Sequence, residues 1–232
     1  MTDTTQPYGT PDQPRLAVRG EARLQFDPET ARLSITVSAR GKDRRAALED
    51  LTRRNTTVLE LARSYGEAIE ELETGALSIT PELHQRGRDE KVRAYHGRVH
   101  ITAVLNDFTA LGELTTRIGD LDMTRIDGPW WALRPDSPAH GEARRQAVHE
   151  AVQRAREYAA ALGAQLAALV ELADLGAENT PPPAYARSAY GGALPAPAGA
   201  APDAAPALDL EPQQQTVHAQ VNARFIMTPP KL

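Results

Sequence analysis

Histidine is the side chain most often used for metal binding and proton transfer near neutral pH, and the chain contains six of them. His96 and His100 lie four positions apart in a predicted strand, so they share a face but are separated by about 13 Å. That separation is too long for two ligands of one metal ion. His140 and His149 fall on different faces of a predicted helix, and His218 would face His100 only across neighbouring strands. The spacing therefore predicts no metal site.

The motifs of nucleophilic catalysis and phosphate binding are also missing from the sequence. There is no Gly-x-Ser-x-Gly turn, and Gly41-Lys42-Asp43 precedes a predicted helix without the other glycines of a phosphate-binding loop. Paired carboxylates such as Glu70-Glu71 fall at turns or strand starts, where solvent exposure is expected. We therefore predict no catalytic residue, no cofactor and a protein that is not an enzyme.

The composition of the chain argues against some classes of partner and indicates a cellular compartment. A net charge of −5 argues against nucleic acid as the main partner, because phosphate binding needs a concentrated basic surface. The absence of cysteine excludes disulfides and thiolate chemistry. Residues 1–14 show no basic start followed by an apolar stretch, and no run approaches the ~18 apolar residues of a membrane helix. These features predict a cytoplasmic protein without membrane insertion.

Aromatic and basic residues supply the candidates for contact with a partner. Trp130 and Trp131 are neighbours in a predicted strand and must point to opposite faces, so one is expected in the core and the other partly exposed. An exposed tryptophan often anchors a protein interface. Tyr185, Arg187 and Tyr190, in a Pro-rich segment, are the remaining candidate interaction residues.

Hydrophobic periodicity predicts the elements that must position these residues. Alternating apolar residues on either side of Asp27-Pro28 predict a β-hairpin. Asp43 is expected to cap a helix that runs to about Tyr65, and Asn106 or Asp107 to cap a short helix. With the remaining strands the order is ββα-ββα-βα-ββ. This order predicts an α+β fold, with helices packed on one face of an antiparallel or mixed sheet.

The longest predicted helix carries a stripe of small residues. Ser137 suits its N-cap, Pro138 its first position, and Gly163 the left-handed stop that follows it. The stripe consists of alanines four positions apart: Ala143, Ala147, Ala151, Ala155 and Ala159. Such a face allows a helix to lie close to a sheet and has no chemistry of its own.

A segment rich in proline, alanine and glycine, residues 177–209, interrupts this pattern. It cannot bury enough apolar surface to offset the entropy of ordering, which predicts a disordered loop. The alternating run that begins at Val217 must then rejoin a sheet formed earlier. We therefore predict a disordered tail at 1–14 and a single domain over 15–229 that contains the loop.

The combined pattern resembles the bacterial SIMPL-domain family of YggE-like proteins. The resemblance covers residues 15–174 and 210–227. Its motifs are VRGEA at 18–22, DPETA at 27–31, TGALSITPE at 74–82, AYHG at 94–97, EARRQA at 142–147, and a last strand after LEP at 210–212. The resemblance implies an α+β fold, assembly into rings in some members, envelope location in many and a link to stress tolerance in some. It supplies no catalytic residues.

Two functional hypotheses follow from this pattern. The first is a non-enzymatic homo-oligomer that acts through protein–protein contacts, since unpaired strand edges favour association with another copy. The alternative is a small-molecule binding module in which the 177–209 loop acts as a lid over its ligand.

Overall fold

The structure, a computed structural model, describes residues 9–86, 89–174 and 208–231, with the side chains of 84–91 left out. Within these ranges the chain forms seven strands and three helices. They are β1 (Arg15–Phe26), β2 (Thr30–Gly41), α1 (Arg44–Arg63), β3 (Ile69–Arg86), β4 (Asp89–Leu105), α2 (Phe108–Gly119), β5 (Thr124–Ala132), α3 (Pro138–Ala161), β6 (Leu166–Asp174) and β7 (Gln215–Met227). This order is the predicted ββα-ββα-βα-ββ, and the α+β class is confirmed.

Local capping signals set the helix boundaries where the sequence placed them. The Asp43 carboxylate accepts a hydrogen bond from the backbone N–H of Ala46, and the Asp107 carboxylate accepts bonds from the N–H groups of Thr109 and Ala110. Ser137 caps α3, with Pro138 at its first position. Gly163 follows the last turn of α3 at φ +64°, the left-handed conformation that only glycine adopts without strain.

The strands form two sheets that belong to two compact units of the chain. The four-stranded sheet has the order β3-β4-β2-β5 and carries α1 and α2, whereas the three-stranded sheet has the order β1-β7-β6 and carries α3. The predicted β1–β2 hairpin was wrong, because the two strands belong to different sheets. β2 pairs with β4 and β5, and β1 lies beside β7.

The four-stranded unit has the larger core. Alternate residues of β2 and β4 face the helices and are fully buried, among them Leu33, Ile35 and Ile101. Helix α1 contributes Leu51 and Val58 to this core, and α2 contributes three further side chains: Leu111, Leu114 and Ile118. Two helices therefore cover one face of four strands.

The three-stranded unit is built on the alanine stripe of α3. The stripe contacts Val18 and Ala22 of β1 and three residues of β7, namely Val221, Ala223 and Phe225. The backbone N–H of Met227 bonds the carbonyl of Pro14, and the guanidinium of Arg19 bonds the amide oxygen of Asn222. These two bonds show that β1 and β7 run in opposite directions. The last strand thus rejoins the first, and lies between β1 and β6.

The predicted tail and loop extend beyond the described residues. Of the tail at 1–14, residues 1–8 lie outside the described part, while Thr10 and Gln13 exchange two backbone hydrogen bonds. Of the loop at 177–209, only Leu208 and Asp209 are described. The Leu208 N–H donates to the hydroxyl of Thr116 on α2 at 3.0 Å. The single domain over 15–229 stays a prediction.

Gly20 is the point at which α3 approaches β1 most closely. A Cβ at this position would lie 2.0 Å from the carbonyl oxygen of Ala147 and 2.7 Å from the Cβ of Ala151. Both neighbours belong to the alanine stripe, so the backbone of α3 itself would have to move. The close contact between helix and sheet therefore depends on glycine in the strand as well as alanine in the helix.

We predict that Gly20→Ala lowers the free energy of unfolding by about 2–3 kcal/mol, because overpacked cores must shift backbone. Urea denaturation followed by circular dichroism measures the change. Gly119→Ala is the matched control, since a Cβ there meets nothing within 4 Å. It should leave stability unchanged or raise it by up to about 1 kcal/mol. Equal effects at both positions would contradict the close contact.

Candidate interaction surface

The strongest candidate for a functional surface is the helix side of β6, at the edge of the three-stranded sheet. Leu169 pairs with Phe225 and Leu172 with Ala223. Residues directly opposite each other share a face of the sheet, and Phe225 and Ala223 pack against α3. Leu169 and Leu172 therefore point to the helix side, yet they are 54% and 47% exposed. Helix α3 covers β1 and β7 but leaves these two leucines in solvent.

Two interruptions in the β6–β7 pairing affect how this edge can be used. The register shifts between Leu166 and Ala168 and again between Leu169 and Glu171, so Ala167 and Val170 have no partner in β7. Val170 is exposed as well. Bulges of this kind discourage a continuous new strand ladder at the edge. The apolar side chains, more than the backbone edge, are what β6 offers to a partner. We call Leu169, Val170 and Leu172 the β6 patch.

The other sheet edges carry features that discourage association. β5 contains Pro129 and β3 contains Pro81, and proline removes a backbone donor from the edge. β1 presents exposed charged side chains, including Arg19, Glu21 and Arg23. By contrast, β6 has no proline, and its central Glu171 is engaged in an ion pair with Arg224. Apart from its two bulges, β6 therefore has neither the proline nor the row of exposed charged side chains that protect the other described edges.

The two tryptophans divide as predicted. Trp131 packs against the core of the four-stranded unit and meets the ring of Phe108 edge to face, with centroids 4.8 Å apart. Trp130 is 45% exposed, and the guanidinium carbon of Arg32 lies 5.6 Å from its ring centroid. Trp130 is thus a surface aromatic that remains a candidate for partner contact. Tyr185, Arg187 and Tyr190 lie outside the described residues.

The histidines are distributed over structural hydrogen bonds. His96 Nε2 lies 2.7 Å from Glu82 Oε2, and His100 Nε2 lies 3.3 Å from the hydroxyl of Ser34 on β2. His100 and His218 do not face each other across neighbouring strands, because β4 and β7 belong to different sheets. Within the described ranges, no three His, Asp or Glu side chains are placed to hold a metal ion.

A cleft that the sequence did not reveal lies at the start of α3. Its volume is about 410 Å3, and its lining residues are His140, Arg144, Asp174, Val217, His218, Ala219 and Gln220. The lining residues of β7 precede Val221, the partner of Asp174 in β6. Residues from α3, β6 and β7 meet here, and long-range pairing of this kind leaves no local signal in the sequence.

Hydrogen bonds from neighbouring side chains lower the pKa values of three carboxylates. The guanidinium of Arg54, with that of Arg53, lowers the pKa of Asp50. Arg134 and then Asn106 lower the pKa of Glu70 through hydrogen bonds. His96, followed by Arg40, does the same for Glu82. A carboxylate that serves as a general acid near neutral pH needs a raised pKa, which is the opposite direction.

Asn55 lies in the apolar stripe of α1 and is partly buried. Its side-chain oxygen is buried and has no hydrogen-bond partner among the described residues. An unsatisfied buried acceptor costs about 1–3 kcal/mol. Among the described residues, this oxygen therefore forms no bond that ties α1 to a neighbouring segment.

Comparison with known proteins places the whole fold in a family. A family model described as SIMPL, protein of unknown function (DUF541), matches residues 16–225. The chain is also 27% identical over 187 residues to the 26 kDa periplasmic immunogenic protein of Brucella melitensis biotype 1. The same protein of Brucella abortus strain S19 is equally similar. Each alignment covers 78% of this chain and 72% of the relative. Neither relative is named as an enzyme.

The chain is only weakly similar to a solved structure. A crystal structure from Burkholderia cenocepacia, named as a candidate amidohydrolase/peptidase, is 19% identical with a TM-score of 0.23. The match covers 57% of this chain and 33% of that one. A likeness at this level carries no argument about fold or activity.

The predicted cytoplasmic location was wrong. Both Brucella relatives are named as periplasmic proteins. The prediction rested on the first residues of the chain alone, and these residues do not report the compartment of the folded part. Among the described residues, no helix is long and apolar enough to cross a membrane.

We predict that Trp131→Ala lowers the free energy of unfolding by about 3 kcal/mol, since it removes an aromatic ring packed on the core. Trp130→Ala, its neighbour on the opposite face, should cost no more than about 1 kcal/mol. Urea denaturation of both variants measures the difference. Equal losses would contradict the division of the two rings between core and surface.

We also predict that Glu70 contributes to stability in a pH-dependent way. Its pKa is lower in the folded chain, so its stabilising contribution is present above the ordinary glutamate pKa of about 4.3 and is lost as pH falls through the folded value. Glu70→Gln should therefore be less stable than the parent protein at pH 7, with the difference vanishing near pH 2. Urea denaturation across this range tests it, with the exposed Glu113→Gln as control. A difference that persists unchanged in acid would rule out the ionised carboxylate as its source.

Proposed function

Because the chain belongs to the SIMPL family, whose function is unknown, we propose that it is a non-enzymatic protein that associates with itself through the β6 patch. The observation that carries this proposal is the half-exposed pair Leu169 and Leu172 on a sheet face that α3 does not cover. Exposed apolar side chains that lie together mark contact sites in soluble proteins.

A second copy of the same chain is the occupant that fits this surface best. A two-fold contact brings the same patch of both copies together, so an apolar patch is complementary to itself. The patch has no charge to oppose its own image, because Glu171 pairs with Arg224 inside each copy. Leu169 and Leu172 of each copy would then cover those of the other, as a second helix would have done within one chain.

The envelope is the compartment that we propose for this assembly. Support comes from the two relatives named as periplasmic proteins, which align with 78% of the chain. The absence of cysteine is compatible with an oxidising compartment, since no thiol is available for incorrect disulfides. The lowered pKa values of Asp50, Glu70 and Glu82 further support a non-enzymatic role, because these carboxylates act as ionised partners of cations.

Multi-angle light scattering after size exclusion tests self-association directly. The parent protein should show a mass above that of one chain at micromolar concentration. Leu169→Ser/Leu172→Ser should lower that mass to a single chain, because it removes the apolar side chains from the contact. Circular dichroism confirms that the variant remains folded.

The matched control changes an exposed apolar pair elsewhere. Leu83→Ser/Val92→Ser replaces two side chains of similar exposure in the four-stranded unit, and it should leave the mass unchanged. A parent protein that stays a single chain across this range would refute self-association. An assembly that survives the β6 double variant would show that another surface forms the contact.

A further inference from the structure

Strands β3 and β4 continue as a two-stranded ribbon beyond the rest of their sheet. β2 accompanies β4 only as far as the pair Gly41 and Tyr95, whereas β3 and β4 stay paired to Arg86 and Asp89. Helix α1 begins at Arg44, and its first turns lie over Gly41 at the end of β2 and over Gly97 of β4. The ribbon therefore extends past the start of the helix that covers the sheet.

The strand register identifies the side chains on the helix side of this ribbon. Gly97 faces α1, because a Cβ there would meet Leu51. Side chains alternate along a strand, so Tyr95 points to the same side, and its partner on β3 is Pro81. Two residues further, Leu83 lies on this side and pairs with Val92.

Leu77 extends the same face along the edge strand, because it pairs with Val99, which is buried in the core beneath α1. The resulting surface consists of Leu77, Pro81, Leu83, Val92 and Tyr95, and we call it the ribbon face. Leu83 is 50% exposed and Val92 is 47% exposed, and Leu77 is more exposed than either. The ribbon face is therefore an apolar strip that no described element covers.

Unpaired positive charge borders this strip. The guanidinium of Arg44 lies 5.6 Å from the ring centroid of Tyr95, and Lys42 precedes it in the connection from β2 to α1. Neither residue forms an ion pair with any described group, and both are exposed. Glu82, the carboxylate nearest along β3, points to the opposite side of the sheet, where Arg40 and His96 hold it.

From this combination we propose that the ribbon face docks on the surface of an anionic phospholipid bilayer. Apolar side chains next to unpaired cations are what a surface-bound element presents to a membrane, since the chains enter the headgroup boundary while the cations meet anionic lipid. Leu83 and Val92 supply the apolar contact, and Lys42 and Arg44 supply the charge complementarity. This mode of membrane binding is peripheral and needs no membrane-spanning segment. It goes beyond the proposed self-association and uses a different surface.

Co-sedimentation with lipid vesicles tests the proposal. The full chain should bind vesicles of phosphatidylcholine with about one third phosphatidylglycerol, and not vesicles of phosphatidylcholine alone. Lys42→Gln/Arg44→Gln should weaken binding roughly 30-fold, since each cation near an anionic surface contributes about fivefold in affinity. Leu83→Ser/Val92→Ser should weaken it on the order of 10-fold through lost apolar contact.

The control removes the same charge elsewhere. Arg23→Gln/Arg156→Gln lowers the charge by the same amount on β1 and α3, and it should change vesicle binding less than threefold. Equal weakening by the two charge variants would overturn the proposal, because binding would then be unspecific electrostatic attraction. Failure of the parent protein to bind anionic vesicles would overturn it as well.

Light scattering tests whether the ribbon face and the β6 patch have different roles. If Leu83→Ser/Val92→Ser lowers the mass of the protein in the absence of vesicles, the ribbon face is a contact between proteins and the lipid proposal is overturned. If Leu169→Ser/Leu172→Ser abolishes assembly while one chain still binds vesicles, the two surfaces act independently, as we expect.

Discussion

The width of an α-helix is the constraint on which both exposed surfaces depend. A helix is about 10 Å across, and neighbouring strands lie about 4.8 Å apart, so one helix covers roughly two strands. In the four-stranded unit two helices bury the central strands β2 and β4, and the edge strand β3 keeps Leu77 exposed on the helix side. In the three-stranded unit α3 lies on β1 and β7, and the third strand is left with Leu169 and Leu172 in solvent.

The alanine stripe further reduces the area of the sheet that α3 can cover. Alanine side chains bring α3 so close to β1 that Gly20 is required beneath it, but they do not reach sideways toward β6. A helix with larger residues would stand further from the sheet and cover more of it. The small side chains of α3 therefore account both for its close contact with β1 and for the exposure of Leu169 and Leu172 on β6. The ribbon shows the same principle along the strand direction, because α1 begins too late in the chain to cover Leu83 and Val92.

Features decided within a few residues were predictable from the sequence. Asp43, Asp107 and Ser137 cap their helices as expected because capping is a contact across two or three positions. Features that depend on the pairing of strands far apart in the sequence were not predictable. The alternation around Asp27-Pro28 is equally compatible with a hairpin and with two strands that enter different sheets. Likewise, the apolar run in β6 is typical of a buried strand, and only its distance from α3 makes it a surface. The cleft at His140 and His218 is lined by residues of three elements that are far apart in the chain, and no local pattern in the sequence brings them together.

Three carboxylates of the described chain join elements of the fold through ion pairs and hydrogen bonds. Asp50 joins two arginines of one helix, Glu70 joins the end of β5 to the loop before α2, and Glu82 joins three strands of one sheet through Arg40 and His96. In each case hydrogen bonds from the neighbouring side chains lower the pKa of the carboxylate. Proton transfer at neutral pH would need at least one such group without a committed partner and with a pKa shifted upward. Exposed apolar side chains lie at β6 and on the ribbon, with Lys42 and Arg44 beside the latter. A fold arranged in this way offers exposed apolar side chains for contact with a neighbour.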